Sequence, residues 1–233
     1  PPTQELTVTA PTEGFRQHRF APAPGATRVL LVRHGESAPA HPDRPFPLAD
    51  GHGDPPLHPD GELQAEAVGR RLAETEAVDA IYVTTLQRTH QTAAPLAALT
   101  GLSPAVEPDL REVHLGDWEG GELRVRAAAG DPAFVAAMAA QRWDLIPGAE
   151  PLEDFDRRLQ DGLSRIVEAH PDQTVVAVVH GGVIGQLLAH AVGVEGFAFV
   201  GADNASISEL VVHDGRQVLR RFNDTAHLDA APM

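Results

Sequence analysis

Two arginines and two histidines in this chain stand at the ends of three apolar runs. RVLLV at 28–32 leads into Arg33 and His34, AIYVT at 80–84 into TTLQRTHQTA with Arg88, and TVVAVV at 174–179 into His180. A guanidinium fork can grip two oxygens of a phosphoryl group, so Arg33 and Arg88 together suit such a group. They would also stabilise its charge during transfer, where losing one such donor costs about 3 kcal/mol of barrier. A neutral imidazole whose far nitrogen is held by an acceptor can attack phosphorus, which makes His34 the candidate nucleophile. Gly35 behind it allows a sharp turn and a close backbone approach to a ligand. A departing alkoxide needs a proton, and Glu112 in DLREVHLGDWEG is the candidate acid. A neighbouring dianion raises a carboxyl pKa, so a mildly acidic optimum is expected. Taken singly, Arg88 could be a helix-start ion pair, His180 a satisfied core histidine and Glu112 a solvated loop residue. Two ionisable groups closing a fully apolar run, as Arg33 and His34 do, are costly without a purpose.

The elements that must position these groups follow from the pattern. The three runs are apolar nearly throughout, as strands covered on both faces are. GELQAEAVGRRLAE reads as a covering helix with Leu63, Ala67 and Leu72 on one side. LEDFDRRLQDGLSRIVEAH reads as another, with Phe155, Leu159, Leu163, Ile166 and Val167 inward. GVIGQLLAHAVG is apolar all round and reads as a buried helix starting near Gly181 or Gly182. ISELVVH and RQVLRRF flank Asp214-Gly215, a strong hairpin signal. AAAGDPAFVAAMAAQRW reads as helical. The expected fold is α/β, a three-layer sandwich with a mostly parallel central sheet, helices on both faces and an antiparallel edge hairpin near the C-terminus. Residues 1–27 read as an extended N-terminal arm in which only ELTVT alternates like a strand, and 28–233 as a single domain. In open α/β sheets ligands bind at the carboxyl ends of the strands, where the two arginines and two histidines would meet.

Composition narrows the partners. Eighteen Lys and Arg against 33 Asp and Glu leave a formal charge of −15, which repels nucleic acid and anionic membrane surfaces alike. Clustered arginines must then act locally, against the sign of the whole surface. The absence of cysteine removes disulfides, thiolate zinc sites and cysteine nucleophiles. No apolar run is long enough to span a bilayer. The expected partner is a small phosphorylated metabolite, with no nucleic acid and no membrane, and a homo-oligomer is allowed. A cytoplasmic address is expected, with secretion after leader removal as the alternative, because residue 1 is not Met.

In order along the chain, LVRHGES, DPPLHPDGELQA, TTLQRTHQTA, LREVHLGDWEG, PGAEPLEDFDRRL, VVAVVHGGVIG and NDTAHL resemble the ordered blocks of the histidine phosphatase (phosphoglycerate-mutase-like) superfamily, from about Arg28 to Leu228. The resemblance implies a transient phosphohistidine at His34, a phosphoryl group held by Arg33, Arg88 and His180, and Glu112 as general acid. It implies no metal and no organic cofactor. Thr84 and Thr85 stand where Ser and Pro are usual, His58 where Thr is usual, and Ala40 where the mutases commonly have Asn. Substrate preference therefore stays open.

Three other readings compete with a phosphate-monoester hydrolase. A mutase needs added cations for a second anionic group, and here Arg142 stands alone, with Arg124 and Arg126 as looser candidates. A metal-assisted hydrolase would draw on His41, His52 and His58 within 41–61, although their spacing is not that of a helix-borne site. A non-catalytic phosphate-binding module would have no need of all five competent residues. Ser37, Arg124, Arg142 and Asn204 are read as the substrate rim. Loop 38–56 and segment 120–148, rich in Pro and Ala, are expected to set specificity and to leave the pocket open.

Overall fold

Residues 29–32 are all buried, yet they divide between two cores. Val29 and Leu31 pack with Phe155, Leu159, Leu163 and Leu187, while Leu30 and Val32 pack with Val68, Leu72, Ala93 and Leu96. Strand geometry sends alternate side chains to opposite faces, so this division places a helical layer on each side of the sheet. The computed structural model describes residues 17–229. Along the chain run β1 (Thr27–Arg33), β2 (Leu48–Ala49), β3 (His52–Gly53), α1 (Pro59–Thr75), β4 (Ala80–Val83), α2 (Gln87–Thr100) and β5 (Ala105–Val106). They are followed by α3 (Glu122–Ala129), α4 (Pro132–Ala140), α5 (Leu152–Ala169), β6 (Thr174–Val179), α6 (Gly181–Val192), β7 (Ile207–His213) and β8 (Arg216–Asp224).

The main sheet has the order β5-β4-β6-β1-β7-β8, parallel from β5 to β1 and then antiparallel through β7 and β8. Helices α1 and α2 cover one face, and α5 and α6 the other. The expected three-layer α/β fold is the one found. The β7–β8 turn has positive φ at both Asp214 (48°) and Gly215 (72°), the conformation that suits a two-residue hairpin. Beside the sheet, β2 and β3 form a separate two-stranded ladder.

Several local expectations differ. Leu63 is 57% exposed, while Ala65, Val68 and Leu72 face the core. At about 100° per residue, the nine steps from Leu63 to Leu72 leave the two about half a turn apart, so they cannot share a side. The Ala-rich stretch is broken into α3 and α4 at Gly130, whose φ is 62°, and Asp131, whose carboxylate accepts from Ala133 N at 2.7 Å and starts the second helix. ELTVT lies outside the described residues, and the strand β1 already begins at Thr27.

Register brings the site together. Arg33 pairs with Val179 and Val83 with Val178, so the residues that follow these strands leave the sheet side by side. His34 N donates to Val179 O at 3.0 Å, one position before His180.

Candidate active site

The His34 ring is buried, with Nδ1 2.7 Å from Gly35 O. A carbonyl oxygen can only accept, so Nδ1 carries the proton and Nε2 keeps its lone pair. Arg88 Nε donates to that Nε2 at 3.2 Å. Burial, and then the charges of Arg88 and Arg33, hold the imidazole pKa well below its usual range, so the ring is neutral. The main chain here is fixed from three sides: Asn204 Nδ2 donates to His34 O at 2.9 Å, Gly35 N donates to Thr92 Oγ1 at 3.0 Å, and Ala205 N donates to Arg33 O at 2.9 Å. Gly35 is required by a neighbour different from the expected ligand. A Cβ there would fall 2.4 Å from Gly61 O in the first turn of α1.

Around His34 stand the other strand-end residues. Arg88, in the first turn of α2, also donates to Gly53 O at 2.9 Å, and burial lowers its pKa to about 10. Arg33 donates through Nη1 to Ala202 O, while its buried Nε has no partner. His180 is fully buried at the start of α6, with its ring centroid 5.2 Å from that of His34. Its Nε2 meets Thr84 Oγ1 at 3.0 Å, and its Nδ1 has no partner. Thr84, which follows β4 where a serine is usual in the resembling family, thus anchors one imidazole to the next strand end. Unpartnered buried polar nitrogens are rare in folded proteins, and two of them in a site with two guanidinium groups suit an anion.

Glu112 closes the other side. Val113 N donates to its Oε1 at 3.0 Å and Gly182 N to its Oε2 at 3.2 Å. Burial raises its pKa, against the opposing pull of those two N–H groups and of Arg88 and Arg33. Gly182 is there by close approach, since a Cβ would lie 2.4 Å from Glu112 Oε1. The loop carrying Glu112 is clamped by Arg158 of α5, which donates to Asp109 O (2.6 Å), Arg111 O (2.8 Å) and Glu112 O (2.9 Å). The same guanidinium pairs with Glu150 at 2.7 and 2.8 Å. Sequence reading missed Arg158, although a signal existed: it stands three residues after Phe155 and four before Gly162, on the inward stripe of its helix.

Arg33, His34, Arg88 and Glu112 line a cavity of about 170 Å³, with Phe46, His52, Trp118 and Arg124 completing its wall. His52, assigned by spacing alone to a loop, is buried with its ring 5.0 Å from that of His114. Of the expected rim, Arg124 Nη2 donates to Ser37 Oγ at 2.7 Å, and both residues, with Asn204, line an outer groove of about 750 Å³ that shares Arg33 and Arg124 with the cavity. Arg142 is not on the rim. Its side chain, 55% exposed, pairs with Asp144 and lines a separate groove with Asp156, Gln186 and His190. The histidines of 41–61 do not converge either. Among the described residues, the one group of three potential metal ligands within 4.8 Å is Glu36, His58 and Asp60, and His58 Nδ1 there already accepts from Asp60 N as the cap of α1.

The family model of the histidine phosphatase superfamily (branch 1) matches residues 29–225. The chain belongs to the histidine phosphatase superfamily. Phosphohistidine chemistry is characteristic of that superfamily. Phosphoglycerate mutase-like protein 4 of Arabidopsis thaliana is 35% identical over 166 residues, 70% of each chain. The metal-independent phosphoserine phosphatase of the same plant is 28% identical over 206 residues, 88% of this chain and 84% of its own. The mycobacterial glucosyl-3-phosphoglycerate phosphatase in complex with VO3 superposes with a TM-score of 0.71 at 30% identity, covering 85% of this chain and 99% of that one. Among the described residues of this histidine phosphatase, no helix is long and apolar enough to cross a membrane.

Proposed function

We propose that this protein hydrolyses small phosphate monoesters, without a metal, through a phosphohistidine at His34. The reading rests above all on the state of that ring, whose Nδ1 is fixed by Gly35 O while Nε2 keeps its lone pair among cationic donors. Its phosphatase relatives, one of them named for phosphoserine and metal independence, support the same class.

In the first half-reaction, His34 Nε2 bonds to phosphorus as the phosphorus–oxygen ester bond breaks. The departing oxygen takes the proton of Glu112, whose raised pKa keeps that proton available. Arg33, Arg88 and His180 hold the three remaining oxygens. In this step Thr84 Oγ1 is assigned as the donor to His180 Nε2, which leaves the ring proton on Nδ1, the atom without a protein partner. In the second half, water attacks phosphorus, its proton passes to the Glu112 carboxylate, and the nitrogen–phosphorus bond breaks to release phosphate and neutral His34. No oxidant, metal or second substrate enters this balance.

The mutase alternative needs cations for a second anionic group, and Arg142, the residue expected to supply one, faces another groove. The test is a panel of phosphorylated metabolites assayed with and without EDTA, beside His34→Ala. The expected result is EDTA-insensitive turnover in the wild type and an acid-labile, base-stable phosphoenzyme that the variant lacks. Retained turnover in His34→Ala overturns the covalent mechanism.

A further inference from the structure

Resting on the hydrolase reading above, we infer that the leaving group of the preferred substrate is uncharged and largely apolar, unlike the carboxylate-bearing body of a phosphoserine or a phosphoglycerate. The observation is the chemistry of the outer groove, which opens from the phosphoryl cavity across Arg33 and Arg124. A substrate whose phosphorus sits against His34 must lay the rest of its body there.

The groove wall is built from Pro39, Ala40, Pro42, Val125, Ala128 and Ala129. None of these can bond to a carboxylate through its side chain. The remaining lining includes two cations, Arg33, which the proposed phosphoryl group claims, and Arg124, which already makes two hydrogen bonds within the protein. Arg33 closes β1 beside His34, with Nη1 on Ala202 O. Arg124 stands on the wall shared with the cavity, its two terminal nitrogens donating to Ala38 O and Ser37 Oγ, its guanidinium 5.5 Å from the Phe46 ring centroid. Arg126, one turn from Glu122, is paired with that residue and with Asp131, at 2.8 and 2.9 Å.

The groove also carries the exposed carboxylate of Glu36, and the chain as a whole carries −15. A second anionic group would thus leave water for a mostly apolar wall whose one cation outside the phosphoryl-binding set is already shared with Ala38 O and Ser37 Oγ, with a like charge nearby. Apolar carbon on the same wall is stabilised by burial instead.

The test compares a matched pair, hexyl phosphate and the same ester carrying a terminal carboxylate, 6-(phosphonooxy)hexanoate. The two share a leaving oxygen of nearly equal reactivity, so kcat/KM reports the groove. The expected ratio favours hexyl phosphate by at least about tenfold at low ionic strength and narrows as salt is added. Ala128→Arg, on the exposed face of α3, places a free cation on the wall and should reduce the ratio at least about fivefold. Equal or better turnover of the carboxylate ester by the wild type, with activity still dependent on His34, overturns the leaving-group inference and leaves the hydrolase reading standing. Absence of turnover with every monoester, or turnover surviving in His34→Ala, overturns the hydrolase reading itself and the inference with it.

Discussion

At the strand ends, His34, Arg88 and His180 are buried, and each is fixed to a backbone carbonyl or to the side chain of a neighbouring element. Across the groove, Ala128 and Ala129 stand exposed on a helix of eight residues with no buried member. The floor is over-determined, so any change there displaces several partners at once. The wall has room to vary, because its residues shape space without anchoring other groups. On the proposed reading the contrast separates two tasks, with reaction chemistry assigned to the floor and choice of leaving group to the wall.

Substitutions on the floor can break this contrast most forcefully. His34→Ala should lower kcat by at least about 10³-fold while leaving the far-ultraviolet circular dichroism spectrum unchanged, since the neighbouring His180 is held to Thr84 and assigned to the phosphoryl oxygens. A fall of less than tenfold in rapid-quench assays would place the chemistry elsewhere. Next in size is Arg158→Ala, which releases the Glu112 loop. We expect kcat to drop about 10²-fold for alkyl phosphates and only a few-fold for p-nitrophenyl phosphate, whose leaving group needs no proton. Equal losses on the two substrates would make Arg158 a general stabiliser with no positioning role. Thr84→Val, which removes the hydroxyl from His180 Nε2, should cost about tenfold in kcat/KM, checked beside Thr84→Ser, which restores it.

The pH profile sharpens the comparison further. Glu112 serves as acid only while protonated, and its pKa is raised, so the rate on alkyl phosphates should fall as pH rises through a value above the ordinary carboxylate range. His34 must be neutral, and its pKa is lowered well below 6.5, so the acid side of the profile should stay flat down through the mildly acidic range. Steady-state rates for the wild type and Glu112→Gln check both limbs, and an alkaline fall that persists in the variant removes Glu112 from the role. The smallest effect is expected from Arg142→Ala on the far groove, with kcat/KM within about twofold of wild type on every substrate. A large loss there would mean that the distant surface reaches the site.

Much of the floor was legible because burial and charge collide in the sequence itself. An apolar run that closes on Arg33-His34, or on His180, commits ionisable groups to a covered sheet edge, where their burial is costly without partners. The inward stripe of α5 and the Asp214-Gly215 turn follow directly from helical period and turn chemistry. What escaped was of another kind. The inward stripe of α5 marks Arg158 as buried-facing, but its partners, carbonyls some 46 to 49 residues earlier, are a relation that no local pattern carries. The His52 ring was hidden in a Pro- and Gly-rich loop whose two-residue strands are too short for an alternating signal. Arg142 was misplaced because the direction of a side chain after a helix end depends on the turn, and Gln141 takes a positive φ of 56° there. Leu63 was a simple error of phase on its helix.

Because β1 takes its hydrogen bonds from β6 on one side and β7 on the other, the nucleophile is made before the strands that house it. The ladders that fix Arg33 and His34 close only after residues 174–213 have emerged, more than a hundred positions downstream. A nascent chain therefore carries this imidazole without the enclosure that makes it neutral and directed until both flanking strands have been made.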